Sequence, residues 1–127
     1  MSISKYIEHT LLKSTATERE IINLCQEAIN KNFYSVCINS CYVALAKQLL
    51  EGTDVKICAV IGFPLGGMST EAKVFEATKA IEDGADEIDM VMNVGFLKSK
   101  NYVLVFKDIR DVKLAIGRTP LKVIIEI

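Results

Sequence analysis

Three apolar runs in this sequence carry polar side chains where a fully buried strand would carry none. Residues 87–92 read EIDMVM, with Asp89 mid-run and Ile88 and Met90 turned to the opposite side. Residues 121–126 read LKVIIE; Lys122, Ile124 and Glu126 share one face, and Val123, Ile125 and Ile127 the other. Residues 7–12 read IEHTLL, with Glu8 and Thr10 on a common face. Side chains alternate across a β-strand, so each polar set points one way. A carboxylate buried without a partner is costly or changes its pKa. A lysine from a neighbouring strand supplies such a partner, and Asp89 and Lys122 fall on successive runs. Two readings stand at this point: an ion pair that only holds the sheet, or a functional carboxylate with its lysine.

Other candidates read as structural. Glu87 and Glu126 fall at strand ends, and His9 reads as a hydrogen-bonded structural side chain. Cys37 reads as packing that also lines a pocket. The chain has four cysteines, Cys25, Cys37, Cys41 and Cys58. Cys37 and Cys41 are four apart, but no second thiol or histidine pair completes a zinc pattern. Three of the four sit in apolar runs, as buried free thiols do. The expectation is free thiols, no structural disulfide, no metal and no cofactor. The stretch GFPLGG, residues 62–67, is neither a P-loop nor a dinucleotide fingerprint. It reads as a tight turn before a helix rather than a phosphate cradle.

The elements that must position these residues alternate. Strands are expected at residues 7–12, 34–38, 55–61, 87–92 and 121–126. Helices are expected from Thr17 to Asn32, and over residues 42–50, 70–83 and 102–116, with residues 93–101 as a loop. Thr17 and Glu20 form a T-x-x-E capping box, and Asn32 a left-handed stop. Ser40 is placed to cap the second helix, and Gly52, Gly84 and Gly117 follow three helix ends. Such β-α alternation builds a parallel sheet with right-handed crossovers.

An open doubly wound sheet suits about 127 residues, whereas a complete (β/α)8 barrel takes about 250. Strands of a doubly wound sheet are covered on both faces and read as near-continuous apolar runs. The polar positions here favour a barrel, whose interior gives them a common destination near its catalytic mouth. The fold class is therefore α/β, a partial (β/α)8 barrel of about five parallel strands and four helices, in one domain over residues 1–127.

Composition bounds the partners. With 50% hydrophobic residues the chain can bury a sizeable core, and a net charge of −1 offers no field for nucleic acid or anionic lipid. The N-terminus lacks the long apolar segment of a signal peptide, and no run approaches the roughly 18 residues of a membrane span. A cytoplasmic protein without nucleic-acid or membrane partners is expected.

Five segments, in order and in register, resemble the deoxyribose-phosphate aldolase family. They are IEHTLLKSTAT (7–17), SVCINSCYVALAK (35–47), VIGFPLGGMSTEAKVFEA (60–77), GADEIDMVMNVG (84–95) and LKVIIE (121–126). The resemblance implies a metal-free (β/α)8 barrel that reversibly cleaves 2-deoxy-D-ribose 5-phosphate to acetaldehyde and D-glyceraldehyde 3-phosphate. A lysine Schiff base would be the electron sink. By motif, Asp89 corresponds to the acid/base carboxylate and Lys122 to a further active-site lysine, while Thr10 and Cys37 match pocket positions. Glu8 stands where the family usually has Asp, and Ile127 where it usually has Thr.

The resemblance also implies that the Schiff-base lysine lies on a sixth strand, its partner lysine on a seventh, and phosphate-binding glycine loops after the last two. These segments are not among the 127 residues. The expectation is a chain that needs a complementing C-terminal barrel fragment for its phosphorylated sugar substrate, or that self-associates. The alternative is an inactive fragment that acts as an interaction module through exposed barrel edges.

Overall fold

A computed structural model describes residues 3–125. After a 3₁₀ turn at Ile3–Tyr6, strands and helices alternate: β1 (Glu8–Leu11), α1 (Glu18–Lys31), β2 (Ser35–Asn39), α2 (Val43–Leu49), β3 (Lys56–Ile61), α3 (Thr70–Asp83), β4 (Glu87–Val91), α4 (Val94–Lys98), α5 (Tyr102–Ile116) and β5 (Leu121–Ile124). Glu126 and Ile127, which the alternation assigns to opposite faces of the fifth strand, lie outside the described residues.

The five strands form one parallel sheet in the order β1-β2-β3-β4-β5. That order decides between the two architectures. A doubly wound sheet reverses direction midway and so receives helices on both faces. Here every crossover joins sequential neighbours, and crossovers of one hand then lay all helices on one face. That face carries the main core. Val36, Ile38, Ile57, Ala59, Ile61, Ile88 and Met90 pack there on Ile21, Leu24 and Ala28 of α1, Val43 and Ala46 of α2, Ala77 and Ala80 of α3, and Val112 and Ile116 of α5. The opposite face has a much smaller apolar cluster, Cys37, Cys58 and Val60 with Leu12, Phe63 and Ile124.

Local signals explain most boundaries. Thr17 Oγ1 accepts a hydrogen bond from the Glu20 amide at 3.2 Å, and Glu20 Oε1 accepts one from the Thr17 amide at 3.2 Å. This is the expected capping box, and Asn32 ends α1 at φ 54°. Ser69 caps α3 by accepting from the Ala72 amide at 3.3 Å. The GFPLGG segment is the tight turn that its glycines indicate. The Gly66 amide donates to the Gly62 carbonyl at 2.7 Å. Gly66 has φ 68°, and a Cβ there would collide with the Met92 carbonyl at the end of β4.

Two local expectations are corrected. Ser40 does not cap α2; it opens a 3₁₀ turn over Ser40–Tyr42, and its hydroxyl donates to Glu76 Oε2 at 2.6 Å. Helix α2 therefore starts at Val43. A fifth helix, α4, occupies part of the expected loop 93–101. It is held by Asn93, whose Oδ1 accepts from the Phe96 amide at 3.0 Å. Four expected helices are thus five among the described residues.

Candidate active site

The small-core face of the sheet holds the polar residues singled out by alternation. Glu8, Cys37, Cys58, Glu87, Asp89 and Lys122 converge there. The register sets Thr10 opposite Cys37, Cys37 opposite Cys58, Val60 opposite Asp89, and Asp89 opposite Lys122. The sheet curls, because Lys122 on β5 reaches Glu8 on β1. Its Nζ lies 3.3 Å from Glu8 Oε2, 3.3 Å from Asp89 Oδ1 and 3.6 Å from Glu87 Oε1. One ammonium thus faces three carboxylates, two of them from β4.

Hydrogen bonds hold the carboxylates unevenly. Ser35 Oγ donates to Glu8 Oε2 at 2.8 Å. The Tyr34 hydroxyl donates to Glu87 Oε2. Asp89 has weaker support. Its Oδ2 faces Cys37 Sγ at 4.0 Å, and its Oδ1, though in ion-pair range of Lys122, is buried without a hydrogen bond.

The electrostatics follow. Burial raises the Asp89 pKa above the ordinary carboxylate value; the Cys58 thiol and the Lys122 charge oppose this without cancelling it. Burial pulls the Lys122 ammonium down, but the surrounding groups, Asp89 and Glu8 among them, outweigh it and hold the lysine above its usual range. A hydrogen bond with Cys37 and burial hold the Cys58 thiol protonated. Lys122 is therefore a persistent cation, unlike the depressed amine that attacks a carbonyl. Asp89 is a carboxyl with raised proton affinity, the property of a proton carrier.

The structure brings Asp89, Lys122, Glu8 and Cys37 together. Thr10 shares their face but is exposed and takes no part in the ion pairs. Glu8 and Glu87 open their strands, and Asp89 and Lys122 stand mid-strand. Glu87 is not a strand-end bystander; it is buried and holds both Tyr34 and Lys122. Its i,i+2 spacing from Asp89 was the available signal. Cys58 alternates onto the same face, but only the register shows that it meets Cys37. His9 points to the helix side, edge-on to Phe33 with Glu27 Oε2 at 3.7 Å. Its buried Nε2 makes no hydrogen bond, contrary to expectation.

A second lysine site lies on the helix side. Lys73 Nζ donates to Asp108 Oδ2 at 2.5 Å and to the Val91 carbonyl at 3.0 Å, and Thr70 Oγ1 donates to Asp108 Oδ1 at 2.8 Å. It ties α3, α5 and the end of β4 together. A concavity of about 800 Å³ lies away from the polar trough. It is lined by Lys5, Asn32, Tyr34, Thr53 and Asp54, among others, at the N-terminal ends of the strands, whereas barrel chemistry occurs at the C-terminal ends. All four cysteines are free, and among the described residues no helix is long and apolar enough to cross a membrane.

Known proteins resemble this chain in sequence and fold. The deoxyribose-phosphate aldolase of Finegoldia magna is 57% identical over 126 residues, which cover 99% of this chain and 59% of the relative. That of Clostridium novyi is 57% identical over 127 residues, covering 99% and 57%. Among solved structures, the tetrameric deoxyribose phosphate aldolase of Aeropyrum pernix superposes with a TM-score of 0.83 at 35% identity, over 94% of this chain and 50% of that one. The chain thus spans somewhat more than half the length of these curated relatives. The family model for DeoC/LacD family aldolases matches residues 3–127, and the chain belongs to that family.

Proposed function

We propose that this chain is the N-terminal part of an aldolase that reversibly cleaves 2-deoxy-D-ribose 5-phosphate to acetaldehyde and D-glyceraldehyde 3-phosphate. The observation that carries the proposal is Asp89, buried mid-strand with a raised pKa and a partly unsatisfied carboxylate beside a persistent cation. In a retro-aldol step, a base takes the proton of the hydroxyl β to the imine carbon. The carbon–carbon bond breaks, and its electron pair flows into the protonated imine. Asp89 is suited to take that proton and return it to the product enamine. Lys122 holds the developing charge, and Glu8 and Glu87 hold Lys122. The Schiff-base lysine is supplied from outside these 127 residues, and Lys122, kept charged, does not serve as it. Thr10 and Cys37 line the pocket.

Two observations favour a complementing or second chain. Among the described residues, strands β1 and β5 each have one neighbour in the sheet and so carry unpaired edges. Helix α5 exposes Val103, Phe106 and Leu114, an apolar surface suited to a partner. The same edges support the second reading, an inactive fragment that acts as an interaction module. The free thiols fit a cytoplasmic enzyme of deoxyribonucleotide sugar degradation.

The test is reconstitution with a separate chain carrying strands six to eight of a relative, assayed for cleavage of deoxyribose 5-phosphate. The mixture is expected to turn over, and Asp89→Asn to lower kcat by about 10²–10⁴-fold. Full turnover of that variant would reduce Asp89 to a structural residue.

A further inference from the structure

Each of the first four strands sends one ligand-type side chain to the same point in the trough: Glu8 from β1, Cys37 from β2, Cys58 from β3 and Asp89 from β4. One sulfur or carboxylate oxygen from each lies within 4.8 Å of all the others. Cys37, Cys58 and Asp89 are buried, with Asp89 only 8% exposed. Parallel register sets the two cysteines directly opposite one another. Buried Asp89 Oδ1 accepts no hydrogen bond. We propose that Glu8, Cys37, Cys58 and Asp89 form a binding site for a thiophilic divalent cation of the zinc or cadmium class.

The ligand chemistry selects that class. Two thiolates and two carboxylates make a four-coordinate set acceptable to zinc, and sulfur excludes magnesium and calcium as competitors. Bonds of 2.0–2.3 Å place tetrahedral ligand atoms about 3.3–3.8 Å apart. The observed set, within 4.8 Å, has to contract by about 1 Å at its widest to reach that size. All four ligands stand on strands, so the backbone already holds them. Lys122 need not leave. It contacts Glu8 through Oε2 and Asp89 through Oδ1, which leaves Glu8 Oε1 and Asp89 Oδ2 for the ion; Oδ2 already faces Cys37 Sγ, itself a ligand of the set. Each thiol coordinates as a thiolate, so two protons pass to solvent as two metal–sulfur bonds form. Sequence spacing hides the site, because it associates Cys37 with Cys41, whereas the fold associates it with Cys58.

An occupied site would withdraw Asp89 from proton transfer; that consequence rests on the aldolase reading, but the site itself does not. The test is a cadmium titration of the 127-residue chain, reduced with a thiol-free reductant and read by the ultraviolet thiolate-to-cadmium charge-transfer band. Saturation at one ion per chain is expected. Cys37→Ser and Cys58→Ser should each weaken binding at least tenfold, and Cys41→Ser should leave it unchanged. Cadmium NMR of the unmodified chain guards against misfolded variants, with a shift characteristic of two sulfur ligands expected. A shift of a site with one or no sulfur, or a band that follows Cys41, would overturn the site while leaving the aldolase proposal standing.

Discussion

Lys73 and Lys122 each face an aspartate inside this protein, in opposite surroundings. Lys73 is fully buried, and its ammonium meets Asp108 and the Val91 carbonyl while Thr70 satisfies the second Asp108 oxygen. The site is charge-balanced and closed. The Lys122 side chain is 50% exposed and shared among Asp89, Glu8 and Glu87, while Asp89 Oδ1 lacks a hydrogen bond. One positive charge answers three negative ones. A satisfied pair fixes structure, because neither partner gains by changing. At Asp89, burial raises the carboxyl's proton affinity by more than the shared lysine lowers it. On the proposed function, the difference separates scaffold from site within one chain.

Mutation should separate them in the same way, with the largest effect at the closed pair. Lys73→Met strands Asp108 as a buried charge and should cost about 3–5 kcal/mol in urea unfolding. The double variant Lys73→Met/Asp108→Leu should recover most of that loss, since an apolar pair of similar volume is tolerated. A double variant as unstable as the single one would show that the pair itself carries stability.

At the open site the sign reverses. Asp89→Asn should stabilise the isolated chain at neutral pH by about 1 kcal/mol, because it removes a carboxylate whose burial disfavours the folded state. The pH dependence follows from the raised pKa. Below the ordinary aspartate value, 3.8, the carboxyl is protonated in both folded and unfolded chains and contributes no difference. As pH rises through that value, the unfolded chain ionises first and native stability falls until the folded pKa is passed. The advantage of Asp89→Asn should therefore be absent in strong acid, grow above it, and then level off. A variant less stable than the parent at every pH would remove the contrast between the sites.

Single hydrogen bonds give the smallest effects and sharpen the comparison. Thr70→Val leaves Asp108 Oδ1 unbonded in a dry site and should cost about 1–2 kcal/mol. Ser35→Ala removes a donor from Glu8, which keeps Lys122, and should cost about 0.5 kcal/mol. Equal losses in thermal unfolding would mean that the trough is as closed as the helix layer.

Much of this was legible in the sequence. Periodicity marked the five strands, and the Thr17–Glu20 box and Asn32 marked the ends of α1. Alternation put Asp89, Lys122 and Glu8 on the interior face. What it missed depends on contacts between distant segments. Lys73 and Asp108 are 35 residues apart, and nothing in the spacing of α3 marks its lysine as buried. Ser40 looked like a cap because its competitor, Glu76, lies on another helix. Helix α4 is one short turn containing Gly95, with weak intrinsic propensity, and it forms because Asn93 caps it. Strand order, which decided for the barrel, has no local sequence signal.

The most direct test of the central claim locates the nucleophile. This chain, mixed with a fragment carrying strands six to eight, is treated with deoxyribose 5-phosphate and borohydride, and both chains are then mapped by mass spectrometry. A reduced adduct on a lysine of the added fragment, with none on this chain, is the expected result. An adduct on Lys122 or any other lysine of these 127 residues would contradict the division of a proton carrier here and a nucleophile elsewhere.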